Sequence, residues 1–432
     1  MNHPFGWWNI ETSNPANVEH MLKTQFPIYQ KGPYQKSILK DLLGNGIFNV
    51  DGEMWKSQRQ IASYEFNTKS PRNFVETVVD TEPFREWHIQ YILKRFAFDN
   101  ICKIAFGYDP EYLSPALPQA KFAVAFEDAA MISSARAKSL SSILWKIRRF
   151  LNIGSEKRLK EAVVEIRGFA NSIARQKEQK MFQNSQELCS AESDDLLSRF
   201  LKSGHSDEKF VTDIVISFIL AGRDTTSAAL TWLFWLLHKN KHVEDEILRE
   251  ISKGRGKHKN KTEHVSVFDQ VKEMVYTNAA VCESMRLYPP VPVDVKEAAA
   301  NDLLPDGTPV KKGMWVGYIP YVMGRMESIW GPNWAEYKPE RWLEAEDADN
   351  SGKGKWKFVT KDPYSYPVFQ AGPRVCLGKE MALLQMKRVV SCILERFRVV
   401  PAVEEGFEPV FVPHLTSEMQ GGFPVRIEER TV

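Results

Sequence analysis

Cysteine is scarce in this chain and poorly placed for collective chemistry. The five thiols in 432 residues are Cys102, Cys189, Cys282, Cys376 and Cys392, odd in number, scattered, with no Cys-x-x-Cys pair. That argues against a disulfide framework and against a thiolate zinc cluster, and it fits a reducing compartment. A dominant charge is missing too. Lys and Arg number 57 against 55 Asp and Glu, for a net charge of +2, so the balance makes no case for nucleic acid or an acidic partner. No apolar run reaches the ~18 residues of a membrane span. The opening MNHPFGWWNIETSNPANVEHML lacks the basic start and apolar core of a signal peptide. Repeats, Pro-rich linkers and composition breaks are also absent, so nothing divides the chain into domains.

What is present is apolar and aromatic: 43% hydrophobic residues, 12 Trp and 25 Phe. That supplies a large core, or a wall around an apolar ligand. Three- and four-residue apolar spacing predicts helices over 155–179, 207–239 and 268–288, the last stopped by Pro289 and Pro290. The second is apolar all round and would run about 50 Å, which places it in the middle of a large domain. Residues 183–195 and the basic stretch 252–262 read as loops, and 344–361 as a polar surface insertion. Strand-like segments occur at 5–12, 291–295, 309–318 and 423–427. The fold class expected is mainly α with a small β component, in one large domain.

Four constellations carry chemistry. In FQAGPRVCLG (369–378), Cys376 falls at or just before a helix over 378–396, where unpaired N–H groups and the helix dipole favour a thiolate. Gly372 permits a tight turn, and Gly378 removes a side chain where something flat can approach the backbone. Phe369 can cover the sulfur, and Arg374 aims a cation at a nearby anion. A buried cysteine before a helix explains Cys376 alone, but not the other four residues at these spacings. The whole string suits a thiolate metal ligand beside a planar, carboxylate-bearing cofactor.

The second constellation, Ala221-Gly222-Arg223-Asp224-Thr225-Thr226, interrupts the long apolar helix. Glycine there costs ~1 kcal/mol against alanine, and a threonine hydroxyl can bond back to the i−4 carbonyl. Ala221 and Gly222 can open a groove, with Asp224 and Thr225 relaying protons. The alternative is a helix–helix contact needing small residues, with Asp224 capped by Arg223. Third, Glu283 and Arg286 stand three apart on one helix face among apolar neighbours. Arg341, in Pro339-Glu340-Arg341-Trp342, can complete a buried structural lock. Fourth, Trp55 and Arg59 share a helix face and suit a carboxylate, or simply stack.

FQAGPRVCLG, AGRDTT, ESMR and PERW, with WKSQR upstream, resemble the cytochrome P450 family of haem-thiolate monooxygenases along essentially the whole chain. GIFNVDGEMWKSQRQIASYEFNTKS, LYPPVPVD and YPVFQAGPRVCLGKEMA look like its plant fatty-acid ω-hydroxylase branch. The resemblance implies the following roles. Cys376 is the axial thiolate on haem iron, a ligand that pushes electron density toward O–O cleavage. Arg374, Trp55 and Arg59 hold the haem propionates, and Ala221, Gly222, Phe369 and Gly378 line the cofactor. Asp224 and Thr225 deliver protons, and Glu283, Arg286 and Arg341 form a structural triad. O2 is the co-substrate, with electrons from NADPH through NADPH–cytochrome P450 reductase. The substrate is a long-chain fatty acid or jasmonoyl-isoleucine, oxidised at or near its far end. The location is the cytosolic face of the endoplasmic reticulum membrane.

Phe218, Val291 and Leu415 are candidate pocket walls by position, with plain core packing an equal reading. The expected domain is 1–432, starting after the membrane helix, hinge and first strand that relatives carry. An internal deletion is suggested near 81–91, where TEPFREWHIQY is short against that branch. Two other readings stay open at this point: a non-catalytic remnant of the same fold, and a haem-thiolate isomerase or dehydratase, against which the Asp224-Thr225 pair speaks.

Overall fold

A computed structural model of the chain describes residues 9–66, 86–113, 121–139, 142–186, 195–204, 207–259, 267–345 and 356–430. Its axis is the helix Glu208–Lys239, 32 residues long, or about 48 Å. Asp207 caps it by accepting from the Phe210 N–H at 3.2 Å. Apolar residues round most of its circumference bury it along most of its length. Helix Ile89–Phe106 crosses it closely enough that a Cβ on Gly222 would lie 2.6 Å from Ile101 Cγ1. Gly222 is therefore bound up with a helix–helix contact, the plainer of its two readings.

Two apolar clusters flank this axis. One joins Leu230, Trp232 and Leu233 to Ala279 and Val281 of helix Val275–Leu287 and to Val389 and Val390 of helix Lys379–Arg396. The other joins Val215, Phe218 and Ile219 to Ile101, to Phe122 and Phe126 of helix Lys121–Lys138, and to Ile166 of helix Gly154–Gln186. Each fully buried side chain of this kind contributes roughly 1.5–3 kcal/mol.

The β structure is peripheral. A four-stranded sheet runs in the order Asn9–Thr12, Trp315–Tyr318, Asp294–Ala298, Tyr29–Gln30. Its first pair is parallel and the others antiparallel, with Asp294 opposite Tyr318. A three-stranded antiparallel sheet joins Phe397–Pro401, Pro424–Glu429 and Glu86–His88. The expected class, mainly helical with a small β component, stands.

Several boundaries moved for physical reasons. The basic stretch 252–262 is not a loop as far as it is described, because helix Lys241–Lys259 runs through it. Lysine and arginine are good helix formers and outweigh its glycines. The helix expected over 268–288 is two helices, Val267–Lys272 and Val275–Leu287. The second is capped from elsewhere: the Glu250 carboxylate accepts from the Tyr276 and Thr277 N–H groups at 2.8 and 2.9 Å. Helix Gly154–Gln186 extends beyond 155–179 and into the loop expected over 183–195, of which 187–194 lie outside the described residues. In 344–361, strands Leu343–Ala345 and Trp356–Phe358 pair antiparallel, and 346–355 lie outside the described residues. So do 5–8 of the first expected strand and 81–85 of the expected deletion.

Candidate functional site

The cysteine loop is built by its backbone. A 3-10 turn at Pro367–Phe369 is followed by Gln370 at φ 60, then a second 3-10 turn at Gly372–Arg374. Gly372 has φ +62, and a Cβ there would sit 2.0 Å from the Leu22 carbonyl oxygen. Both facts require glycine. The Cys376 N–H donates to the Phe369 carbonyl at 2.8 Å. Helix Lys379–Arg396 then starts, with Gly378 at its N-cap, one residue later than the sequence predicts.

The Cys376 side chain keeps open surface, yet protein surrounds it closely enough to strip it of most solvation. Burial pushes the thiol above its ordinary range, while the Gly378 N–H, Arg59 and Lys379 pull the other way. This corrects the expectation that the helix end alone favours a thiolate: desolvation outweighs it. A coordinated metal reverses that balance, because a ligating thiol is deprotonated outright.

Around this sulfur the structure gathers the expected cations. The Arg374 guanidinium lies 4.5 Å from the Trp55 ring centre, and that of Arg59 lies 5.8 Å from it. Stacking is therefore real, as the plainer reading held. Arg374 also donates to the Val50 carbonyl at 2.9 Å and to Asp51 at 2.8 Å. Burial raises Asp51, but Lys36, the Lys31 N–H and Arg374 more than offset it and hold the carboxyl below its usual range. Arg59 differs. Burial lowers its pKa, the Cys376 sulfur raises it, and among the described residues no carboxylate pairs with it.

The central helix contributes one open strip. Ala221, Gly222 and Thr225 retain accessible surface, whereas 211–220, 223–224 and 226–237 are buried. Positions i, i+1 and i+4 share one helix face. The Thr225 hydroxyl donates to the Ala221 carbonyl at 2.6 Å. Asp224 is turned elsewhere, 2.8 Å from Arg223 Nη1. Arg223 continues to Glu127 at 3.0 Å, which Lys94 joins at 3.1 Å, with Glu418 at 2.9 Å from Lys94. Burial raises the Asp224 carboxyl, against the pull of Arg223 and Lys94. The structure thus brings Thr225 to the strip and places Asp224 in a charged chain behind it.

Of the three guessed wall residues, Phe218 and Leu415 meet in one apolar cluster, against which Leu377, the neighbour of Cys376, also packs. Val291 stands half-buried just before strand Asp294–Ala298.

Glu283, Arg286 and Arg341 assemble as expected. Glu283 and Arg286 are fully buried. Glu283 accepts from Arg286 Nη2 and Nε at 2.8 Å each, from Arg341 Nε at 3.1 Å, from the Lys338 N–H at 3.0 Å and from Trp342 Nε1 at 2.9 Å. Arg286 also donates to the Gly324 and Glu336 carbonyls. Tyr366, just upstream of the cysteine loop, donates to the Cys282 carbonyl at 2.9 Å, tying that loop to the lock.

Sequence reasoning missed the supports. Asp294, on a sheet strand, accepts from Gln370 Nε2 at 2.9 Å and from Tyr318 at 3.2 Å, and so pins the loop. Burial opposes its charge, but Lys296 and Lys31 hold the carboxyl well below its usual range. A long-range pair to a non-glycine residue at positive φ leaves no local signal. Asp51 did leave one, since it immediately precedes helix Gly52–Phe66, which carries Trp55.

The haem that the resemblance implies can be tested against these residues. Among the described residues no cluster of three or more His, Cys, Asp or Glu can hold a metal; a porphyrin brings most of its iron's ligands itself. Among the described residues, an open-faced Cys376, a half-buried Arg59 with no carboxylate partner and the accessible strip at Ala221 and Thr225 suit a flat group carrying carboxylates. The residues present fit it.

The comparisons agree. The family model described as Cytochrome P450 matches residues 10–417. The chain is 57% identical to Cytochrome P450 94A2 of Vicia sativa, over 100% of this chain and 84% of that protein. It is 58% identical to Cytochrome P450 94A1 of the same plant, over 98% and 82%, and 48% identical to Cytochrome P450 94B1 of Arabidopsis thaliana, over 99% and 83%. With the thiol loop, the buried Glu–Arg lock and the helical class on the page, the chain belongs to the cytochrome P450 family and is a monooxygenase of it.

Proposed function

We propose that this monooxygenase hydroxylates a long-chain fatty acid, or an acyl conjugate such as jasmonoyl-isoleucine, at or near the terminal carbon. The observation that carries the reading is the open strip Ala221-Gly222-Thr225 on an otherwise buried helix, beside an apolar cluster that includes Phe218 and Leu415. Such a wall offers a hydrocarbon chain burial, with Thr225 the polar group on the strip. The likeness to the ω-hydroxylase branch supplies the substrate class. The domain is read as 1–432, on the cytosolic face of the endoplasmic reticulum membrane, with electrons from NADPH through NADPH–cytochrome P450 reductase.

Haem, when bound, supplies activation of O2, one oxygen atom going to a C–H bond and the other to water with two electrons and two protons. The chain's own residues do the rest. Cys376 would give the iron its sulfur ligand from the protein. Arg59, Trp55 and Arg374 hold carboxylates by charge and N–H donation. Gly372 and Asp294 keep the loop in register. Thr225 presents its hydroxyl oxygen to the strip while its proton rests on the Ala221 carbonyl. Asp224, its pKa raised by burial, passes a proton only when its carboxylate turns from Arg223.

The test is reconstitution with the reductase and NADPH on long-chain fatty acids and on jasmonoyl-isoleucine, with products located by mass spectrometry. Terminal or near-terminal hydroxylation is expected. Hydroxylation only at mid-chain, or none with haem properly bound, overturns the substrate reading. Thr225→Ala is expected to keep NADPH consumption while diverting most electrons to peroxide, with product falling about tenfold or more. Unchanged coupling in that variant removes Thr225 from the relay.

A further inference from the structure

Strand Asp294–Ala298 carries a lysine that no step of the reaction uses, Lys296, only 2% exposed. Side chains two apart on a strand share a face, and Lys296 Nζ donates to Asp294 at 2.6 Å. That carboxylate is shared. It also accepts from Lys31 Nζ at 3.1 Å and from Gln370 Nε2, in the cysteine loop, at 2.9 Å. The Lys31 N–H leads on to Asp51 at 3.1 Å, which is shared in the same way, between Lys36 at 2.9 Å and Arg374 at 2.8 Å. Lys31, Lys296, Lys36 and Arg374 thus meet two carboxylates at the edge of the cysteine loop, and Lys36 is the most exposed of the four.

A buried ammonium short of counter-charge gives up its proton readily. Burial, with the fields of Lys31 and Arg374, brings Lys296 down to about 7, although Asp294 pulls the other way. The facing strand contributes the Tyr318 hydroxyl, which donates to Asp294 at 3.2 Å and is pushed well above its usual range by burial. Glu297, the next residue, lies on the opposite face of the strand.

We infer that Lys296 is the charge-compensating group of the haem seat: it takes up a proton from solvent when haem places its carboxylates beside Arg374 and Lys31. The inference rests on the seat formed by Arg59, Trp55 and Arg374. Added negative charge there lowers the cost of a buried ammonium, so binding raises the Lys296 pKa. A group raised in the bound state favours binding fully below its unbound pKa, and that contribution is lost as pH rises.

The experiment is titration of the haem-free 432-residue chain with haemin, with proton exchange read by calorimetry in two buffers of different ionisation enthalpy. At about pH 8 the parent should take up about one proton more than Lys296→Met, and at about pH 6, where Lys296 is already charged, the two should agree. Proton release by the Cys376 thiol is common to both and cancels in the difference. The parent's haem affinity relative to Lys296→Met should fall about fivefold between about pH 7 and pH 8. Lys31→Met leaves Asp294 wholly to Lys296, keeps it charged without haem, and should also remove the extra uptake; it decides the matter if Lys296→Met does not fold. Arg374→Leu should weaken haem binding about tenfold or more at every pH. If it does not, the haem carboxylates lie elsewhere, and the seat falls together with the inference. If it does, and the parent, Lys296→Met and Lys31→Met exchange equal numbers of protons, the inference alone is overturned.

Discussion

Replacing Glu283 with glutamine should lower the melting temperature by roughly 5 °C or more, or leave the protein insoluble. The carboxylate takes five hydrogen bonds from Arg286, Arg341, Lys338 and Trp342, and neither it nor Arg286 reaches solvent. Glutamine keeps the shape but sets an NH2 group against donors on one side or the other. It also leaves the Arg286 charge without its counterion in a site water cannot enter. Breaking such a pair costs about 3–5 kcal/mol, against about 5–15 kcal/mol for a whole domain. Arg286→Lys should fail similarly, because one ammonium cannot reproduce the fork that reaches Glu283 and two carbonyls. The control is Glu336→Gln. There the backbone carbonyl, not the exposed side chain, takes the Arg286 bond, so melting should match the parent within about 1 °C. A Glu283→Gln protein that melts with the parent would show that the lock does not hold the fold.

That lock also shows what a sequence can and cannot disclose. Glu283 and Arg286 are legible because three residues of helix put them on one face, and their apolar neighbours announce burial. Arg341 follows from chemistry, since a buried carboxylate flanked by one arginine still has lone pairs to satisfy. Trp342 Nε1 and the Lys338 N–H were not legible, because nothing local says which way a 3-10 turn will aim them. The cysteine loop divides the same way. Gly372 reads as a turn from its residue type, and the structure adds that the Leu22 carbonyl occupies the space of a side chain. Gln370 at positive φ, bonded to Asp294 across 76 positions, is a tertiary fact with no periodic or compositional trace. The break at 273–274 belongs here too, since the Glu250 cap comes from another helix. Local pattern yields elements, and buried polar demand yields some partners. Long-range acceptors that satisfy one particular loop come only from the fold.

Replacing Cys376 with serine should abolish the strongly red-shifted Soret band of the reduced, carbon-monoxide-bound protein and reduce hydroxylation to background. The prediction follows from how few duties the side chain has without haem. Its backbone N–H, unchanged by the substitution, holds the Phe369 carbonyl, and the sulfur itself meets the Gly378 N–H and the field of Arg59 and Lys379. Serine is smaller and can accept the same N–H. The haem-free fold should therefore keep its circular dichroism and melt within about 2 °C of the parent, since Cys376 keeps open surface and belongs to none of the apolar core clusters of the described residues. A hydroxyl lacks the soft, readily deprotonated sulfur that iron takes as a ligand. Cys282→Ser and Cys392→Ser are the matched controls. Both thiols are buried, Cys282 within an apolar cluster, so each change should cost stability while leaving the spectrum of the folded fraction intact. If Cys376→Ser kept the red-shifted band, the axial ligand would be another residue. If the parent lacked that band, the non-catalytic remnant would become the better account of a chain whose loop, lock and open strip are all in place.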